Sequence, residues 1–153
     1  MMPRQQPRNT TPPAPSVLAM ILCDRVSVDP ATKKSTLHGC FKTFAAARFP
    51  VTQPALAVYV MLTNGRGSVT IALHLVDVDE DQRIFTFEVP VEFPDPLATV
   101  DLTFAMRDVV FPMPGHYRLQ LFAGRQLLVE QKLQVTLPPR VTAIREAGFP
   151  ELT

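Results

Sequence analysis

Phe111-Pro112-Met113-Pro114-Gly115-His116-Tyr117-Arg118-Leu119-Gln120-Leu121-Phe122-Ala123-Gly124-Arg125-Gln126-Leu127-Leu128-Val129-Glu130 is the stretch whose reading decides the fold. Pro114-Gly115 turns the chain, and Tyr117, Leu119 and Leu121 then fall on one parity, so a strand follows a corner. A tyrosine at the start of such a strand can send its buried phenol back to the preceding backbone, which resembles a tyrosine corner. Gly124-Arg125 supplies a tight turn to a return strand carrying Leu127, Val129, Leu133 and Val135. A plain two-residue loop would set Leu119 against Glu130, so a bulge or a three-residue loop is needed to keep the apolar faces in phase.

The rest of the chain repeats the two-residue period. Val69, Ile71, Leu73 and Leu75 alternate with Thr70, Ala72, His74 and Val76, and Val100, Leu102, Phe104 and Met106 alternate with Asp101, Thr103 and Arg107. Phe85, Phe87, Val89, Val91 and Phe93 are expected inward. Pro90 on the opposite parity cannot donate to a ladder, which puts that strand at an edge or at a bulge. Leu56 to Thr63 and Val17 to Cys23 are apolar at both parities and read as strands covered on both faces. Asp29-Pro30-Ala31-Thr32-Lys33-Lys34 turns the first of these into a return strand from about Ser35 to Arg48, ended by Phe49-Pro50.

Composition agrees with an all-β chain. Its 153 residues suit one domain, and 46% hydrophobic residues can build a core. Ten phenylalanines fill a sandwich interior, while sixteen prolines oppose long helices. We therefore read an eight-stranded antiparallel β-sandwich, immunoglobulin-like, over residues 17–137, with a C2-like or jelly-roll order of the same strands as the alternative. Residues 1–16 read as a disordered proline-rich arm, since their composition buries too little to offset ordering entropy. Pro12-Pro13-Ala14-Pro15 within it has the loose spacing of proline ligands, which any such linker shares. Residues 138–153 read as a short tail with one helical turn near Ile144 to Ala147, too short to hold itself together.

Fifteen basic against fourteen acidic side chains leave a formal charge of +1, so no whole-molecule field gathers polyanions and nucleic acid is not expected. No apolar run is long enough to span a bilayer, and Val17 to Cys23 lacks a cleavage site, so the expected compartment is the cytoplasm. Two cysteines do not make a disulfide framework there.

Candidate chemistry is sparse. A first hairpin centred on Ala31-Thr32 sets Cys23 across from Cys40, with His38 two residues along. Cysteine and histidine are zinc ligands and two opposed cysteines can oxidise, so Cys23, His38 and Cys40 are candidates for a metal-binding or thiol redox-sensing face. They lack a fourth ligand and metal-knuckle spacing, and the plainer reading is small buried hydrophobes. Asp77, Asp79, Glu80 and Asp81 cluster as calcium ligands would, yet a solvated hairpin turn explains them. Asn64-Gly65-Arg66-Gly67-Ser68 lacks the lysine and following helix of a phosphate loop and reads as a hairpin turn. His74 and His116 sit among polar positions of exposed sheet faces, and no serine or cysteine joins them in a triad. No catalytic residue, metal site or cofactor is assigned. The expected role is a non-catalytic interaction or structural module with a protein partner.

Met20-Ile21-Leu22-Cys23-Asp24, Leu37-His38-Gly39-Cys40-Phe41, Phe49-Pro50 and the Phe111 to Leu121 corner together resemble an uncharacterised family of small bacterial β-sandwich proteins, over roughly residues 17 to 136. That resemblance implies the fold and carries no activity with it.

Overall fold

Alternation of apolar and polar side chains becomes strand throughout the computed structural model, which describes residues 14–138. Nine strands form among them: β1 Ser16–Val28, β2 Ser35–Cys40, β3 Thr43–Ala45, β4 Val51–Thr63, β5 Gly67–Asp77, β6 Gln82–Phe93, β7 Val100–Phe111, β8 Gly115–Ala123 and β9 Gln126–Thr136. The first sheet runs β2-β1-β4-β7 and the second β3-β9-β8-β5-β6. All neighbours are antiparallel except β3, which runs parallel to β9.

The inner faces meet in one core. Leu56, Val58, Val60 and Leu62 of β4, with Phe104 and Met106 of β7, pack against Ile71, Leu73 and Leu75 of β5 and Tyr117, Leu119 and Leu121 of β8. Fully burying each such side chain contributes about 1.5–3 kcal/mol before ordering costs. β4 lies inside its sheet, and its outward Ala57 and Tyr59 are buried as well, as a strand apolar at both parities requires.

β1 departs from the same expectation. A register shift between Val17 and Ala19 drops Leu18 out of the ladder, where it is 56% exposed. Ile21 is only half-buried. Cys23, farther along the same outer face, is 0% exposed, so this face of β1 is open where the strand begins and closed beside Ala57 of β4.

The return strand expected from Ser35 to Arg48 is two strands. β2 stops at Cys40, and β3 crosses to pair with β9 in the other sheet. The crossing seats Phe44 against the core: its ring stands edge-on to Phe111, with centroids 5.0 Å apart, and Phe111 in turn stands edge-on to Tyr117 at 5.1 Å. Burying this aromatic column outweighs continuing an exposed edge strand. The count is thus nine strands where eight were expected.

Asn64 to Ser68 is likewise no hairpin turn, because it carries the chain from β4 in the first sheet to β5 in the second. Gly65 is required there: a Cβ would sit 2.4 Å from the ring of buried Phe93. Asn64 N–H donates to the Pro96 carbonyl at 3.0 Å and ties this crossing to the one between β6 and β7.

The decisive stretch folds as a corner and a bulged hairpin. Tyr117 is 1% exposed, and its hydroxyl donates to the Met113 carbonyl while accepting from the Met113 N–H at 3.4 Å. Gly124-Arg125 makes a two-residue turn with Ala123 opposite Gln126 and Phe122 opposite Leu127. A register shift then leaves Leu128 unpaired and puts Leu121 opposite Val129, which restores the apolar phase. The bulge turns Leu127 outward, where it is 43% exposed, so it does not share the face of Val129 and Leu133.

Pro90 lies on β6, the last strand of its sheet, as its missing donor demands. The order β1-β4-β7 against β9-β8-β5-β6 matches strands A-B-E against G-F-C-C′ of the immunoglobulin sandwich. With the tyrosine corner it marks the fold as immunoglobulin-like and sets aside the C2-like and jelly-roll orders. Of the arm expected over residues 1–16 and the tail expected over residues 138–153, residues 1–13 and 139–153, with the helical turn expected there, lie outside the described residues; β1 already begins at Ser16.

Candidate functional site

Three surfaces bring chemistry-bearing or apolar side chains together. The first is the β1–β2 ladder. Cys23 lies opposite Cys40 and Arg25 opposite His38, the register expected from the loop position. Both thiols are free, Cys23 buried and Cys40 exposed. Burial pushes the Cys23 thiol up, and the nearby Cys40 and Asp24 charges push it further. His38 does not join them: its Nε2 is hydrogen-bonded to Ser27 Oγ at 2.8 Å. Among the described residues, no group of three or more His, Cys, Asp or Glu side chains is arranged to hold a metal ion. Gly39 has φ of +66°, and a Cβ there would meet the Asp24 carboxylate, so the tight approach of the two strands needs glycine.

The acidic turn is spent on backbone. Asp77, 5% exposed, accepts from the Asp79 and Glu80 N–H groups at 3.1 and 3.4 Å. Asp79 accepts from His116 N–H at 3.4 Å, joining the turn to β8. Two of the four carboxylates therefore cap donors in the way turn residues do.

The outer face of the second sheet is the second surface. His74 of β5 packs on Phe122 of β8 with centroids 4.8 Å apart. Gln120, Glu88, Arg83 and Arg125 ring them in a shallow depression of about 420 Å³. Burial pushes the His74 imidazole below its usual value; the Arg83 charge adds to this and Glu88 opposes it. Sequence reasoning placed His74 on an exposed face and overlooked Phe122, whose outward parity opposite Ala72 was the available signal.

The third surface is the open side of the sandwich. There β6 and β7 end their respective sheets. Phe85, Phe87, Met106, Val109 and Val110 line a groove of about 290 Å³ between them. Phe87 and Val110 are 43% and 45% exposed, although Phe87 has the inward parity expected of it, because an edge strand has no neighbour to cover it.

A model of a family of unknown function, DUF6941, matches residues 18–136. The chain belongs to that family. The match spans β1 to β9, so family membership is a property of the whole sandwich.

No curated protein matches this DUF6941 chain. Among solved structures it is similar to an immunoglobulin-like protein from Pseudomonas aeruginosa at 15% identity, covering 82% of this chain and 98% of that one, with a TM-score of 0.42. It is also similar to β-glucosidases from Listeria innocua (14% identity, 77% of this chain, 16% of that chain, TM-score 0.42) and Kluyveromyces marxianus (14%, 64%, 15%, 0.41). The chain thus spans a small part of those enzymes. No helix of the described residues is long and apolar enough to cross a membrane.

Proposed function

We propose that this domain is a non-catalytic interaction module that takes an extended segment of a partner protein along the outer edge of β7. The observation that carries the reading is the open β6–β7 side. Over the twelve residues of β7, Val100–Phe111, no strand pairs with the outer edge among the described residues. An unpaired edge is a row of backbone donors and acceptors, and an added strand satisfies them. The constant-type immunoglobulin sheet, ABED, places a further strand at this position.

The groove supplies the second element of such recognition. Phe87 and Val110 offer apolar surface to alternate side chains of the added segment, so backbone pairing provides affinity and the groove provides selectivity. Arg107 and Asp108 on the same edge oppose indiscriminate pairing. The facing edge of β6 is blunted by Pro90, which leaves β7 as the strand to extend. A cytoplasmic location and a protein partner belong to this reading.

The test is affinity capture from native lysate with the full chain, compared with Val110→Lys and Phe87→Glu. Both substitutions replace exposed side chains, and the melting temperature of each variant is measured alongside to check that the fold is kept. Loss of a captured partner from both variants supports the reading. A partner retained by both overturns it.

A further inference from the structure

The geometry points to Cys23 and Cys40 as a reversible dithiol–disulfide pair, in which exposed Cys40 meets a hydroperoxide and buried Cys23 resolves the product. The pair lies at the opposite end of the first sheet from β7, so this inference is independent of the interaction surface.

Register supplies proximity. Directly opposed residues on antiparallel strands hold their Cα atoms about 4.5–5.5 Å apart, within the roughly 4.4–6.8 Å that a disulfide spans. Cys23 and Cys40 are so opposed, and both are free. On one side of the pair Phe41 N–H donates to the Leu22 carbonyl at 3.1 Å, which holds the strands together there. On the other side Gly39, at φ +66°, lets the two strands approach closely beside the Asp24 carboxylate.

The two thiols differ in the way such a pair needs. Cys23 is 0% exposed, and its thiol donates a hydrogen bond to the Arg25 carbonyl at 3.5 Å. Burial and the neighbouring charges hold it in the thiol form, so it is a poor first nucleophile. Cys40 is exposed at the lip of a groove of about 440 Å³ lined by Met20, Phe41, Lys42 and Gln131. A small oxidant reaches it without opening the core.

The chemistry balances with a hydroperoxide as oxidant. The Cys40 thiolate attacks the terminal peroxide oxygen, an S–O bond forms, and the O–O bond breaks to release alkoxide, which takes a proton to become the alcohol. The Cys23 thiol then gives up its proton and attacks the Cys40 sulfur; the S–S bond forms and the S–O bond breaks, with water leaving. Two thiols lose two hydrogens, and the hydroperoxide becomes alcohol and water. A dithiol reductant reverses the step by exchange, and such transient bonds are the usual kind in a reducing compartment.

The experiment treats the reduced full chain with stoichiometric hydrogen peroxide, then titrates thiols in denaturant and maps peptides without reduction. Expected are joint loss of both thiols, a Cys23–Cys40 linked peptide in monomeric protein, and full recovery with dithiothreitol. Cys23→Ser is expected to leave a dimedone-reactive sulfenic acid at Cys40, and Cys40→Ser to leave Cys23 unoxidised. Should Cys23→Ser not fold, the wild-type peptide map decides alone. Oxidation of wild-type Cys40 with Cys23 still titratable, or linkage only between chains, overturns the inference.

Discussion

The hydroxyl of Tyr117 donates to the main-chain carbonyl of Met113, four residues upstream, and closes the corner through which the chain passes from β7 to β8. The phenol is buried against Phe111, and removing its oxygen takes away both of its hydrogen bonds to the Met113 main chain. Tyr117→Phe is expected to cost about 0.5–1.5 kcal/mol of unfolding free energy. Urea denaturation measures it, and a loss below a few tenths would show that the corner is dispensable.

Both tyrosines of the chain carry phenols pushed above their usual value. For Tyr117 burial dominates, with Asp77 and Asp79 adding and the Met113 bond opposing. For Tyr59 burial again leads, reinforced by its 3.0 Å hydrogen bond to Asp101 and by that carboxylate's charge. A raised folded-state pKa means that the unfolded chain loses its proton first. Stability is therefore whole below about pH 10, where free tyrosine titrates, and falls as pH rises beyond it. Denaturation curves between about pH 8 and 11 check this, and Tyr117→Phe should show a shallower alkaline decline than the parent.

The β9 bulge separates two deletions that sequence alone would rank together. Removing Leu128 takes out the unpaired residue and leaves every β8–β9 pair in register, so the fold is retained at a cost of about 1–3 kcal/mol for a part-buried leucine. Removing Gln131 shifts Leu133 and Val135, 0% and 1% exposed, to the opposite face. Cooperative thermal unfolding should survive the first deletion and vanish in the second.

Local pairings were legible because they depend on neighbours in the chain. The register opposing Cys23 and Cys40 follows from the position of one loop, and the need for a bulge after Gly124-Arg125 follows from the phase of apolar residues on either side. The Cys23, His38 and Cys40 group was only partly legible. Periodicity put His38 near the cysteines, but the Ser27 hydroxyl that engages its ring was invisible to it. The groove between β6 and β7 was unreadable, since Phe87 and Met106 meet only once the two sheets have stacked.

By itself the sequence determined that this protein is a β-sandwich with a tyrosine corner, the inward face of its regularly alternating strands, and the register of the first hairpin. A two-residue period carries that information because it assigns a face to every side chain. It does not say to which sheet a strand belongs. Only the tertiary structure decided that β4 crosses to β5, that β3 leaves β2 so that Phe44 reaches Phe111, and that β6 and β7 are left as open edges. A short connection can turn back within one sheet or cross to the other at similar local cost. The choice is made by burying distant aromatic side chains together, an energy no local pattern contains.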